Sequence, residues 1–125
     1  MKNLLYIFLA TSLICSSCSE NDKNITPPIT NQYTGIWTGT YTGDDSGIWT
    51  ATISSNGNVN GNSTNANGDL QSLNGSVTNS GIFSATVGTG TLGSSFTGTL
   101  NRNNGVGLWE NSSFNLTGTW TGVKQ

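Results

Sequence analysis

A five-residue pattern that recurs five times constrains the fold of this chain more than any other feature. Each copy has a large apolar residue, a hydroxyl residue, Gly or Ala, another hydroxyl residue and a second large apolar residue. The copies occupy residues 37–41, 49–53, 83–87, 96–100 and 116–120. Because successive side chains of a β-strand point to opposite faces, this period of two predicts strands that are each buried on one face.

Clusters of Asn, Gly, Ser and Asp separate the apolar stretches at short and fairly even spacing. Asn and Gly readily adopt the positive φ of tight turns, so consecutive strands are predicted to pair antiparallel. Eight strands are predicted, near residues 34–42, 47–54, 58–64, 69–78, 81–87, 94–101, 105–110 and 115–123. No segment keeps the helical period of about 3.6 residues. The predicted fold class is all-β: an antiparallel up-and-down meander that forms a closed or nearly closed small barrel, with a β-sandwich as the alternative.

Superposition of the predicted strands gives one inner face whose middle positions are nearly all small. These positions are Gly39, Ala51, Gly61, Gly75, Ala85, Gly98 and Gly118. We expect aromatic side chains from opposite walls to enter the space that they leave, as in a narrow packed barrel. The outer face carries Thr and Ser with almost no charge. A barrel that spans a bilayer needs apolar residues there, so a membrane-spanning barrel is not expected.

The N-terminus has the features of a secretory signal. Lys2 precedes an apolar stretch at residues 4–14, which is too short to span a bilayer as a helix. The stretch runs into Cys-Ser-Ser-Cys at residues 15–18, which resembles the cleavage site of bacterial lipoproteins. The resemblance implies that Cys18 carries the lipid, palmitate included, and becomes the mature N-terminus. Ordinary signal cleavage is the alternative. The predicted location is the bacterial outer membrane or cell surface, with the membrane contacted through the lipid anchor.

The predicted organisation has three parts: a signal peptide at residues 1–17, the lipidated cysteine with a flexible tether at 18–33, and the barrel domain at 34–125. The tether prediction rests on a polar, Pro-rich composition. Within the tether, Glu20 and Asp22 resemble the acidic export signals of surface-exposed lipoproteins. The third part is a single domain, because about 90 residues cannot divide into two self-sufficient cores.

Residues 34–38 and 53–62 resemble the opening strands of avidin-type eight-stranded barrels, within the wider group of up-and-down barrels that includes lipocalins. The segments read Thr-Gly-Ile-Trp-Thr and Ile-Ser-Ser-Asn-Gly-Asn-Val-Asn-Gly-Asn. The resemblance implies the barrel topology. It does not imply biotin binding, because the Asn that the family has after Trp37 is absent and the Tyr of its third strand is replaced near Ser63.

Candidate ligand-binding residues lie where the repeated pattern stops. In a meander, the loops after odd-numbered strands share the end that is distal to the tether, and loops held by a rigid sheet are common binding sites. The acids of the domain all lie at or near that end, and with Trp109 they are the candidates: Asp44, Asp45, Asp69 and Glu110. Carboxylates in loops can bind Ca²⁺, but this spacing matches no EF-hand loop, and no metal site is predicted.

Aromatic residues near the loops indicate which ligand the distal end would take. Trp109, Phe114 and Tyr33 could each stack on a sugar beside the Asn-rich loops, which makes a glycan one candidate ligand. A small apolar ligand in the barrel mouth is the other candidate. Core packing competes with both for any aromatic that lies in phase with the inner face.

The sequence offers little for catalysis. There is no His, Arg102 is the single Arg, and the two cysteines are Cys15 and Cys18, so the usual nucleophilic triads and His-based metal sites are missing. No cofactor is expected. A net charge of −2 without a basic stripe disfavours nucleic acid. The predicted function is a non-catalytic binding module, with a structural component of the envelope as the alternative and the oligomeric state left open.

Overall fold

The computed structural model describes residues 30–125, which form a closed barrel of eight antiparallel strands in chain order. The strands are β1 (Gly35–Gly43), β2 (Gly47–Ile53), β3 (Asn58–Asn65), β4 (Leu70–Val77), β5 (Ile82–Val87), β6 (Ser94–Asn101), β7 (Asn104–Asn111) and β8 (Leu116–Lys124). Helix in this part of the chain is limited to a 3₁₀ turn at Gly90–Leu92, and no helix in it is long and apolar enough to cross a membrane. The predicted all-β meander is confirmed, and it is a closed barrel rather than a sandwich.

The barrel closes because the first strand pairs with the last. Residues 37–43 of β1 form an antiparallel ladder with residues 118–124 of β8, so neither strand is left with an unpaired edge. A single row of cross-strand partners can be followed on the outer face through all eight strands. It runs through Leu70, Thr64, Ile48, Thr40, Thr121, Val106, Thr99 and Ile82.

This row returns to β4 displaced along the strand. Thr78 N donates to Ile82 O at 3.0 Å, so the row that started at Leu70 of β4 ends opposite Thr78, eight positions further on. An eight-stranded barrel with a stagger of about eight residues has an interior that layers of side chains fill completely. The register therefore specifies a packed core rather than an open channel.

The interior matches the inner face that the alternation predicts. Large side chains at these positions are buried, and the aromatic ones form two clusters. In the first, Trp120 lies 4.9 Å from Phe83 and 5.8 Å from Trp49 between ring centroids. In the second, Tyr41 and Phe96 meet edge to face at 5.6 Å, and Trp109 adjoins both. Such edge-to-face pairs contribute about 0.5–1.5 kcal/mol beyond the area they bury.

At three glycines the structure differs from the predicted packing. The indole beside Gly39, Gly107 and Gly118 comes from the adjacent strand rather than from the opposite wall, and it crosses the strand at the glycine. Trp49 of β2, for example, crosses β1 at Gly39, where a Cβ would lie 2.5 Å from its Nε1, and donates to Thr121 O of β8 at 3.2 Å.

The same crossing occurs twice more. Trp109 Nε1 donates to Thr42 O at 3.0 Å after crossing β8, and Trp120 Nε1 donates to Thr97 O at 3.1 Å after crossing β7. Each indole thus bridges two strands that are not neighbours, and each buried N–H finds a partner. Glycine is needed at each crossing because it is the one residue without a side chain in the path of the indole.

Residues 31–34, here called the N-terminal cap, close the proximal end of the barrel, where the chain enters β1. Asn31 N donates to Ser55 O at 2.9 Å, and Trp37 Nε1 donates to Tyr33 O at 2.8 Å. The Tyr33 side chain is only 3% exposed. The ordered domain thus begins at least three residues before the predicted boundary at 34, and the last residues of the predicted tether pack on the barrel. The predictions for residues 1–17 and for Cys18 lie outside the described residues.

Candidate functional site

Four loops lie at the distal end of the barrel, and hydrogen bonds join them in two pairs. The loops comprise residues 44–46, 66–69, 88–93 and 112–115. Ala66 N donates to Ser46 O at 2.8 Å, which joins the first two loops. Ser113 Oγ donates to Thr91 O at 2.7 Å, which joins the last two. Loops held in this way need little ordering when a ligand binds, so the surface is preorganised.

The four predicted acidic residues lie in this distal half but do not converge. Asp44 Oδ2 accepts from Thr117 N at 2.9 Å, and Asp45 Oδ1 accepts from the adjacent Ser46 N at 2.7 Å. Asp69 Oδ2 accepts from Asn65 Nδ2, at the end of β3, at 3.1 Å. Glu110 is exposed on the outer face of β7. Among residues 30–125 no group of three or more His, Cys, Asp or Glu side chains is placed to hold a metal ion.

The three aromatic residues considered for sugar stacking differ in exposure. Trp109 and Tyr33 are each 3% exposed and belong to the core, so their rings are not accessible at the surface. Phe114 is 62% exposed and lies in the loop that joins β7 to β8. Phe114 alone among the three can stack on a ligand without rearrangement of the barrel.

A groove of about 500 Å³ crosses the outer wall at β7, and we call it the β7 groove. Two rows of cross-strand partners form its walls: Ser95, Glu110 and Thr117 on the distal side, and Thr97, Leu108 and Thr119 on the other. Trp109 and Gly118, where an indole crosses β8, form its floor. The groove contains two of the predicted site residues, Trp109 and Glu110, and it adjoins Asp44 through the hydrogen bond to Thr117.

A second groove of the same construction lies on the outer wall at β1, and we call it the β1 groove. It also measures about 500 Å³, and its floor is the crossing of Trp49 over Gly39. Its walls carry Thr hydroxyls and Ile48 but no charged side chain. The hydroxyl of Thr38 there accepts from Gln125 Nε2 at 2.8 Å. The two grooves therefore share a volume and an indole-crossing floor, and they differ in their charged and free polar groups.

A buried polar pair, Tyr41 and Ser63, lies inside the distal rim of the barrel. Tyr41 crosses β2 at Gly47 and brings its phenol beside Ser63, which is 2% exposed. Ser63 Oγ meets no partner at full hydrogen-bond geometry within residues 30–125. Burial raises the pKa of the Tyr41 phenol above its ordinary value; the Ser63 hydroxyl offsets part of that rise, and the Asp45 carboxylate adds to it.

A notch of about 380 Å³ interrupts the distal rim between the start of β4 and the loop after β5. Gln71 lines it, flanked by Leu70 and Leu92, which are 69% and 63% exposed. The notch is smaller than either groove, and none of the predicted site residues lines it.

Comparison of the sequence with protein-family models and with curated proteins finds no match. The groove geometry is therefore the basis for any functional assignment. The sequence predicted Glu110 and Trp109 as site residues, but it did not predict Leu108 or the four hydroxyls of the groove. Leu108 carried a usable signal, because it is a large apolar residue in an outward position of a strand that otherwise follows the pattern.

Proposed function

We propose that this protein is a lipid-anchored, non-catalytic binding module of the bacterial outer membrane or cell surface, and that it binds its ligand at the β7 groove. The observation that carries the proposal is the groove itself, where Glu110, four hydroxyls and the exposed Leu108 surround a preformed concavity. Ligand sites typically combine an apolar lining with a few placed polar groups in this way. The packed interior argues against a ligand inside the barrel, so any kinship with avidin-type and lipocalin-type barrels concerns the strand order alone.

The arrangement of the termini supports display of the groove away from a membrane. The described chain starts at residue 30 beside the proximal end, and Gln125 N donates to Ile36 O there at 2.8 Å. A lipid on Cys18 would therefore hold the proximal end toward the bilayer. The distal half, with Glu110, would face outward.

The binding role is tested by photo-crosslinking in intact cells that make the full chain. A photoreactive benzoylphenylalanine replaces Leu108 in the β7 groove or, as the matched control, Ile48 in the β1 groove; both native side chains are well exposed. We expect a discrete adduct from position 108 and none from position 48. Absence of any adduct from position 108 would contradict the proposal and favour the alternative, a structural component of the envelope.

The anchor is tested separately with radioactive palmitate. We expect label in the wild-type protein and none in Cys18→Ala, which should also leave the membrane fraction. Cys15→Ala serves as the control and should label normally. Equal labelling of wild type and Cys18→Ala would contradict the assignment of the lipid to that cysteine.

A further inference from the structure

The β7 groove offers hydrogen-bonding groups that the fold leaves unused. Glu110 makes no hydrogen bond or ion pair with any residue described, and the hydroxyls of Ser95, Thr97, Thr117 and Thr119 make none either. A hydroxyl both donates and accepts, whereas a carboxylate accepts at two oxygens. The set therefore suits a ligand that carries several hydroxyls of its own.

The closed barrel restricts how a ligand can be recognised. A peptide commonly binds a β-protein by adding a strand to an exposed sheet edge, which requires unpaired backbone groups. All eight strands here are paired on both sides, so no edge is open. Recognition in the groove must rely on side chains, which disfavours an extended peptide held by its main chain.

The charge of the groove further restricts the class of ligand that can bind. Glu110 is its single charged residue, and the nearby Asp44 is engaged by Thr117 N at 2.9 Å. The carboxylate of Glu110 would repel an anion, and no basic side chain lines the groove to offset that repulsion. The remaining contacts are neutral: the four hydroxyls, and Leu108, which is 64% exposed.

We propose that the β7 groove binds a neutral glycan. This inference rests on the proposed function and names its ligand class. Glu110 accepts hydrogen bonds from sugar hydroxyls, the Thr and Ser hydroxyls complete the polar contacts, and Leu108 packs against the apolar face of the ring. Phe114 is 62% exposed in the loop that joins β7 to β8, and it offers a stacking surface to a glycan that extends from the groove toward the distal end. A volume of about 500 Å³ suits a segment of an oligosaccharide rather than a whole polymer.

The test follows backbone amide shifts by NMR as probes are added to residues 30–125, which contain all eight strands of the closed barrel. The neutral probes are methyl glucoside, methyl galactoside, methyl mannoside, N-acetylglucosamine and cellobiose. Glucuronic acid and spermidine are the charged probes. We expect at least one neutral sugar to shift amides of β6, β7 and β8 around the groove, with no effect from glucuronic acid. Tighter binding of cellobiose than of methyl glucoside would support a groove that contacts more than one sugar unit.

Variants locate the site. Glu110→Gln should weaken sugar binding about tenfold, the loss that one hydrogen bond to a charged group accounts for, and salt should not change the result. Phe114→Ala should weaken it as well. Ile48→Ser, in the β1 groove, is the matched control and should bind like the wild type.

Three outcomes would overturn the glycan inference: shifts confined to the β1 groove or the rim notch, a response to spermidine alone, or no response to any probe. If photo-crosslinking at position 108 nevertheless succeeds, the binding role stands and only the ligand class is wrong. Failure of both experiments removes the binding role itself.

Discussion

At the scale of single residues, the glycines of this barrel determine where other side chains can go. Gly118 is the clearest case, because a Cβ there would overlap Thr42 O and press against Trp109 Nε1. The constraint is steric: Gly118 has no positive φ. Gly68 shows the opposite combination, since its φ is +86° and a Cβ would have nothing within 4 Å.

The contrast gives a first prediction. Gly118→Ala should lower the free energy of unfolding by more than about 4 kcal/mol, or prevent folding, because backbone and indole both obstruct the new methyl group. Gly68→Ala should lower it by about 1–2 kcal/mol, the conformational cost of a left-handed residue. Urea denaturation followed by near-UV circular dichroism measures both. Equal losses in the two variants would show that the crossing is not the constraint.

The buried hydroxyl of Ser63 gives a second prediction. Because Ser63 Oγ has no partner among the described residues, its desolvation is uncompensated, and Ser63→Ala should raise the free energy of unfolding by about 1 kcal/mol. Ser84→Ala, on the exposed face of β5, is the control and should stay within about 0.5 kcal/mol of wild type. A loss of stability in Ser63→Ala would mean that the hydroxyl is satisfied in solution.

The phenol of Tyr41 gives a third prediction, for alkaline pH. Its pKa is raised above the ordinary value of 10.0 in the folded state, so the unfolded chain loses this proton first as the pH rises. The contribution of the protonated phenol to the free energy of unfolding is fully present below about pH 10. It is lost as the pH rises through the pKa of the folded state. Urea midpoints should therefore fall with pH above this value in the wild type and fall less in Tyr41→Phe. Parallel pH curves for the two proteins would contradict the prediction.

At the scale of elements, the strands follow from the sequence and the N-terminal cap does not. Every strand boundary lies within one residue of its predicted position, because alternation and Asn-Gly turns are local signals. The segment Asn31-Gln32-Tyr33 follows two prolines and is too short to show a period, so it looks like a tether. Its burial depends on turns at residues 54–57 and 78–81 that come close only once the barrel forms.

The cap gives a fourth prediction. Asn31 Nδ2 donates to Val77 O at 3.2 Å, and Asn31 Oδ1 accepts from Tyr33 N at 2.9 Å, both in buried surroundings. Asn31→Ala should lower the free energy of unfolding by about 2–3 kcal/mol, because it leaves both of these backbone groups unpaired. The adjacent Gln32 is exposed, so Gln32→Ala should cost less than about 1 kcal/mol. Similar urea midpoints for both variants would show that the cap contributes little.

The candidate site could be predicted only in part, because it depends on how the strands are paired. Glu110 and Asp44 stand out in a sequence with few charges, and strand polarity is enough to place them at one end. The groove that adjoins them depends on the register of β6, β7 and β8 and on the indole that crosses β8. Neither can be read from local patterns, because register follows from closure of the whole barrel.

At the scale of the whole molecule, closure makes the position of the chain ends nearly arbitrary. Lys124 of β8 lies opposite Trp37 of β1, so both ends of the described chain are at the proximal end. A circular permutant that joins Gln125 to Thr30 by a short Gly/Ser linker and opens between Asn67 and Gly68 should keep the barrel. Its near-UV circular dichroism spectrum should match that of the wild type. Loss of that spectrum would mean that the loop at 66–69 is needed for folding.

The N-terminal cap also has a mechanical consequence. Tension on the chain at residue 30 would act first on the few contacts of residues 31–34, while β1 remains held by β2 on one side and β8 on the other. Released residues 31–34 would span up to roughly 13 Å, at an extended length of about 3.3 Å per residue, before any strand is loaded. When a barrel is pulled between its N-terminus and a bound ligand, the cap would therefore detach first, and the added chain length would delay loading of the sheet.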